Sequence, residues 1–81
     1  RYLINMPRLK RLTAKQIVKI LQNSGFNIHH SKGSHIHLRH STKLYLRVVV
    51  PFHGKILAPK TIKSILVQAE LDKDSLKYFF D

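Results

Sequence analysis

The chain contains no cysteine and, before Glu70, no carboxylate. The first absence excludes disulfides and thiolate metal sites and suits a reducing compartment. The second leaves nothing along most of the chain to neutralise its cations. Of 15 lysines and arginines, only Lys73 and Lys77 follow Glu70, and the acids Glu70, Asp72, Asp74 and Asp81 close the sequence. No apolar run approaches the ~20 residues of a membrane span; the longest centres on Val48-Val49-Val50. Repeats, low-complexity tracts and linkers are also missing, so the 81 residues read as one small domain with a modest core. The expected domain spans 6–81. Arg1 to Asn5, ahead of Met6, form no signal-peptide pattern and read as an upstream extension or an expression remnant. With no targeting segment, the cytoplasm is the expected location and a membrane is not an expected partner.

What remains is strongly basic. The net charge of +11 attracts polyphosphates, and such binding weakens steeply as salt rises. A surface built only for solubility mixes both signs, so nucleic acid is the favoured partner. The hydrophobic content of 43% is that of a folded domain rather than a disordered tail.

Apolar periodicity locates the elements. Thr13 with Gln16 forms a Thr-x-x-Gln capping box, and Ala14, Ile17, Val18 and Leu21 follow at helical spacing, predicting a helix over Thr13–Ser24 that Gly25 ends. Three extended segments follow at Phe26–His30, Ser34–His40 and Leu44–Val50, joined by connections short enough for hairpins. Pro51 ends the third. A second helix starts near Pro59 and carries Ile62, Ile65, Leu66 and Ala69 on one stripe. A short last helix begins at Asp72, with Leu76, Phe79 and Phe80 on one side. The expected fold is α+β: a three-stranded antiparallel sheet with two helices on one face, in the order α-β-β-β-α, plus a short C-terminal helix.

Strand side chains alternate, so burying the apolar set decides which residues face solvent. Phe26, Ile28, Ile36, Leu38, Leu44, Leu46, Val48 and Val50 are expected inside. Asn27, His29, His35, His37, Arg39, Tyr45, Arg47 and Val49 then share the open face. His29 and His30, as neighbours, are expected on opposite faces.

Several segments, in order and spacing, carry a family resemblance: Gly25-Phe26 after the first helix, Lys32-Gly33-Ser34-His35, Val50-Pro51-x-His53-Gly54, and Thr61-Ile62-Lys63-Ser64-Ile65-Leu66-x-Gln68-Ala69. Over about Leu9 to Phe79 the chain resembles the HicA toxins, small ribonucleases of toxin–antitoxin systems. The resemblance implies a fold similar to a double-stranded-RNA-binding domain, one catalytic histidine, mRNA as substrate and inhibition by a HicB-like antitoxin. The family's Gly-x-His element falls on Gly33 and His35. Two departures, Lys60 and Glu70 where the family often has glycine, touch helix ends rather than the histidine.

RNA cleavage without a metal needs a proton acceptor for the 2′-hydroxyl or water, help for the leaving oxygen, and compensation of phosphorane charge. Histidine suits the proton transfer because it titrates near neutrality. His35 is the expected catalytic residue, and His37, on the same face, a candidate second proton-transfer group. Lys32, Gly33, Ser34, His37, Arg39 and Arg47 are the expected substrate contacts: cations for phosphate, Gly33 for close backbone approach, and Ser34 for a hydroxyl, although its parity points inward. Tyr45 is either a residue that stacks on an unpaired base or a strand-forming residue with a wet tip, and His53, in a turn, is a candidate for substrate or antitoxin contact. His35-x-His37 with His29 has metal-ligand spacing, but the carboxylates of a supporting shell are missing before Glu70, so neither metal nor other cofactor is expected. The alternative function is a non-catalytic basic RNA-binding module. A structural, ribosome-associated role ranks below both, and no helix-turn-helix pattern favours DNA.

Overall fold

Thr13 starts the first helix as its spacing requires. In the computed structural model, which describes residues 8–81, the Gln16 amide donates to Thr13 Oγ1 at 3.3 Å, and the Thr13 amide donates to Gln16 Oε1 at 2.8 Å. The cap satisfies N–H groups that have no partner inside the helix. Helix α1 (Ala14–Asn23) buries Ala14, Ile17, Val18 and Leu21. Thr13 and Ser24 are therefore its caps rather than its ends. The expected extension at Arg1–Asn5, with Met6 and Pro7, lies outside the described residues.

Gly25 reverses the chain into the sheet at φ +99°, and a Cβ there would sit 2.7 Å from His40 Nε2. Both facts demand glycine. Strands β1 (Phe26–Lys32), β2 (His35–His40) and β3 (Arg47–Pro51) form one antiparallel sheet in the order β1-β2-β3. β1 runs two residues further than the apolar pattern suggested, so the hairpin turn is Gly33-Ser34, not Ser31-Lys32-Gly33. Gly33 takes φ +60° while Ser34 does not take positive φ. That is the pattern of a type II′ turn, whose twist matches the flanking strands.

β3 begins later than expected. Leu44 and Tyr45 lie in the turn before it, at 65% and 71% exposure, because the β2–β3 connection folds on itself through Leu46 N to Lys43 O at 2.9 Å. Leu44 is thus not a core residue. Ile28 pairs with Leu38 on the inner side but is 47% exposed on its edge strand.

Helix α2 (Pro59–Ala69) starts with Pro59 in its first turn and ends at Glu70, which takes a left-handed conformation at φ 47°, ψ 50°. Helix α3 (Lys73–Leu76) is capped by Asp72, whose side chain accepts from the Ser75 amide at 3.0 Å, and a 3₁₀ turn (Lys77–Phe79) follows. α1 packs on β1 and β3, and α2 on β3. Their apolar stripes meet Phe26, Leu38, Val48 and Val50 in one core, which Leu12, Leu57 and Phe79 close. No helix among the described residues is long and apolar enough to cross a membrane.

Two side chains, His40 and Gln68, fix the periphery. His40 stands edge-on to Phe26 with ring centroids 5.0 Å apart, and its Nδ1 accepts from the Thr42 and Lys43 amides at 3.2 and 3.0 Å. On β3, the outward Val49 amide donates to Gln68 Oε1 of α2 at 3.0 Å, and Gln68 Nε2 donates to Ser64 Oγ at 3.2 Å. A helix side chain thereby satisfies an edge-strand donor.

Candidate nucleic-acid interface

The helices cover one side of the sheet, and the pairing register defines the other. Lys32 faces His35, which faces Pro51. His30 faces His37, which faces Val49. Asn27 faces Arg39, which faces Arg47. Directly paired residues share a face, so the uncovered side carries three cross-strand rows. His35, Lys32 and Arg47 are exposed, and His37 and Arg39 are half-buried. The parity read from the apolar residues of β2 thus places His35, His37 and Arg39 together. Gly33 and Ser34 form the turn at the end of the Lys32–His35 row; Ser34 is exposed rather than inward, because it belongs to the turn and not to a strand.

β1 departs from simple alternation. The register shifts between Ile28 and His30, so His29 is an extra residue, a β-bulge. Beyond it the parity reverses, and His30 rather than His29 is directly opposite His37. Both histidines nevertheless reach the open face. They line, with His37, Arg39 and Arg47, a shallow depression of about 60 Å³. The expectation that at most one of them joins this face is corrected by the bulge. Sequence parity could not show it, since an inserted residue leaves no apolar signature in a strand whose residues after Phe26 are all exposed.

The rings of His30 and His37 are stacked, with centroids 4.3 Å apart and planes inclined by 15°. His29 meets His30 edge-on at 5.1 Å. The His37 imidazole is held below its ordinary value of 6.5, first by desolvation under its neighbours and then by the positive charges of His30, His35 and Lys32. The shift favours the neutral ring, which is able to accept a proton. Among the described residues, no group of three or more histidine and carboxylate side chains converges as a metal site.

Arg39 and Arg47 sit opposite each other across the strand pair. Like charges so placed destabilise a sheet. Arg39 Nε is, in addition, shielded from solvent without a hydrogen-bond partner, at a cost of roughly 1–3 kcal/mol. Both penalties fall at one spot on the open face, and an anion bound between the two guanidinium groups relieves their repulsion.

Tyr45 and His53 stand apart from these rows. Tyr45 is in the β2–β3 turn, and His53 Nδ1 accepts from the Lys55 amide at 3.2 Å in the turn after β3. His30 is the member of the face that sequence reasoning passed over. The signal for it was the His29-His30 pair itself, which needed only a bulge to bring both rings to one side.

Fold and face together define a small α+β domain with an uncovered sheet surface rich in histidine and cations. Residues 14–71 match a family model described as HicA toxin of bacterial toxin-antitoxin, and the chain belongs to the HicA toxin family. It is accordingly a toxin of a toxin–antitoxin system, and membership implies an antitoxin partner. No curated protein matches the chain.

Proposed function

We propose that this toxin is a metal-independent endoribonuclease that cleaves mRNA on the open sheet face, with His35 as general acid or base. The observation that carries the reading is the row Lys32–His35 beside the Gly33 turn. It puts an exposed imidazole next to an exposed cation at the hairpin end of the sheet. A phosphate drawn to Lys32 lies beside a group that can take or give the proton of a 2′-hydroxyl. Gly33, without a side chain and with open space around its Cβ position, lets the RNA backbone come close, and the Ser34 hydroxyl is available as a donor.

The other rows divide the remaining work. Arg39 and Arg47 bind the neighbouring phosphate and relieve their mutual repulsion in doing so. His37, whose surroundings favour the neutral ring, is the second proton-transfer candidate, two residues from His35 on the same face. General acid–base help from one such residue contributes ~10²–10⁴-fold; positioning and charge compensation supply the rest. No cofactor takes part in these steps. The antitoxin, HicB-like by the family's pairing, neutralises the toxin by covering this face, and a cationic face favours an acidic partner. The domain, proposed to span 6–81, then acts where mRNA is, in the cytoplasm.

Purified protein incubated with RNA in excess chelator tests the reading. Cleavage is expected to persist in chelator and to fall at least ~10²-fold in His35→Ala. Equal cleavage by the two proteins would refute the role of His35. RNA bound but never cut would leave the non-catalytic RNA-binding module as the function.

A further inference from the structure

The open face does not use most of the basic residues. The cations outside it are not spread evenly. The segment before α1 and the segment before α2 run side by side: Thr13 pairs with Ile56, and the Leu57 amide donates to Leu12 O at 2.9 Å. Lys10 and Arg11 line a depression of about 280 Å³ between these segments, together with Ala58 and Pro59; Lys55 lies on the second segment and Lys15, Lys60 and Lys63 in the early turns of the helices they lead into, all exposed. Neither helix has an acidic residue in its first turn. Glu70, Asp72 and Asp74 follow the opposite end of α2, and Asp81 alone approaches this region, through its amide to Arg8 O at 2.8 Å.

A short stretch of chain links this cationic end to the proposed active face. β1 delivers Lys32, and β3 delivers Pro51 opposite His35, at the same end of the sheet. From Pro51 the chain reaches Ile56 in five residues, at most ~18 Å. Lys55 lies on that path. Folding stability gives no reason for the arrangement, because Lys15 and Lys60 place positive charge in first turns, where the macrodipole disfavours it. A protein partner is a poorer fit, since lysine is depleted in protein interfaces.

We propose that this surface is a second RNA-contacting site, which takes the phosphates of the strand flanking the segment held on the His35 face. It rests on the ribonuclease reading and extends it from a cleavage face to a two-part substrate track. The substrate class is correspondingly an RNA long enough to leave the sheet and turn onto the helix starts. Short oligonucleotides occupy the sheet alone.

The triple variant Arg11→Gln/Lys60→Gln/Lys63→Gln tests this, since none of these residues lies on the open face. Affinity for a short and a long RNA is measured against salt in a His35→Ala background, and cleavage in the His35 background. For the long RNA, removal of three phosphate contacts should reduce the slope of log K against log salt by about 2, at about 0.7 per charge on a single strand. The short RNA should bind with an unchanged slope. Cleavage of long RNA should show a raised KM and an unchanged kcat. An unchanged slope for long RNA, or equal effects on both lengths, would overturn the proposal and assign the surface to another anionic partner. If the parent protein binds neither RNA, the ribonuclease reading falls and this inference falls with it. Binding of both RNAs with no cleavage by the His35 protein overturns the catalytic role alone, because the slopes still decide the second site.

Discussion

Glu70 is the described residue outside glycine that takes positive φ, and replacing it gives a measurable stability change with a calculable size. Its conformation, φ 47° and ψ 50°, lets its amide reach Leu66 O at 3.2 Å and terminate α2. A side chain in this region costs ~1–2 kcal/mol. A glycine avoids that cost but loses more freedom on folding, by ~0.5–1 kcal/mol. The balance predicts that Glu70→Gly stabilises the protein by about 1 kcal/mol. For a domain of this size that is a rise of ~4–8 °C in Tm. Charge has to be separated from geometry, because a carboxylate at a helix C-terminus is itself unfavourable by ~0.3–1 kcal/mol at low ionic strength. Glu70→Ala removes the charge and keeps the strained backbone. In urea denaturation at low salt both variants should gain stability, Glu70→Gly more. At high salt, with the charge screened, Glu70→Ala should fall back toward or below the parent while Glu70→Gly keeps its advantage. If the two variants are equally stable at high salt, Glu70 is not held left-handed and the reasoning fails.

Two further outcomes follow from the same structure. Gly25→Ala places a methyl 2.7 Å from His40 Nε2 at φ +99°, so it should lose ~1–3 kcal/mol and loosen the 41–43 turn that His40 holds; amide exchange at Thr42 and Lys43 reads the second effect, and protection equal to the parent's would refute it. His37 makes stability depend on pH in a defined direction. Its folded value lies below the ordinary 6.5, so as pH falls through 6.5 the unfolded chain takes up a proton that the folded ring still refuses. Stability is therefore full above 6.5 and is lost below it, until the folded ring also protonates. His37→Gln should flatten that part of the stability curve, and superimposable curves for variant and parent would show that the ring is not perturbed.

Most of the architecture was legible because short-range chemistry and apolar pattern agree. The Thr13 box, the Pro59 start and the Asp72 cap are local signals that the fold leaves intact. The β2 parity survives because Ile36 and Leu38 have only one core to enter, and it carries His35, His37 and Arg39 to the open face. The start of β3 was misplaced because Leu44 and Tyr45 have strand-forming side chains, while backbone hydrogen bonding folds them into a turn. The β1 bulge was illegible for a different reason. Past Phe26 the strand buries nothing, so no apolar spacing records where the register slips. Gln68 was visible only as part of a motif. Its bond to Val49 N spans 19 residues of sequence, a distance that periodicity does not report.

That last bond makes the sheet lopsided. The β3 flank has one of its amides taken by a helix side chain, while among the described residues β1 pairs only with β2 and carries a kink in the middle. A strand that extends this sheet from the β1 side, whether from another protein or a second copy of the toxin, comes alongside His29 and His30 and has to accommodate that kink. A ligand that lengthens the sheet on that side therefore arrives beside the stacked imidazoles.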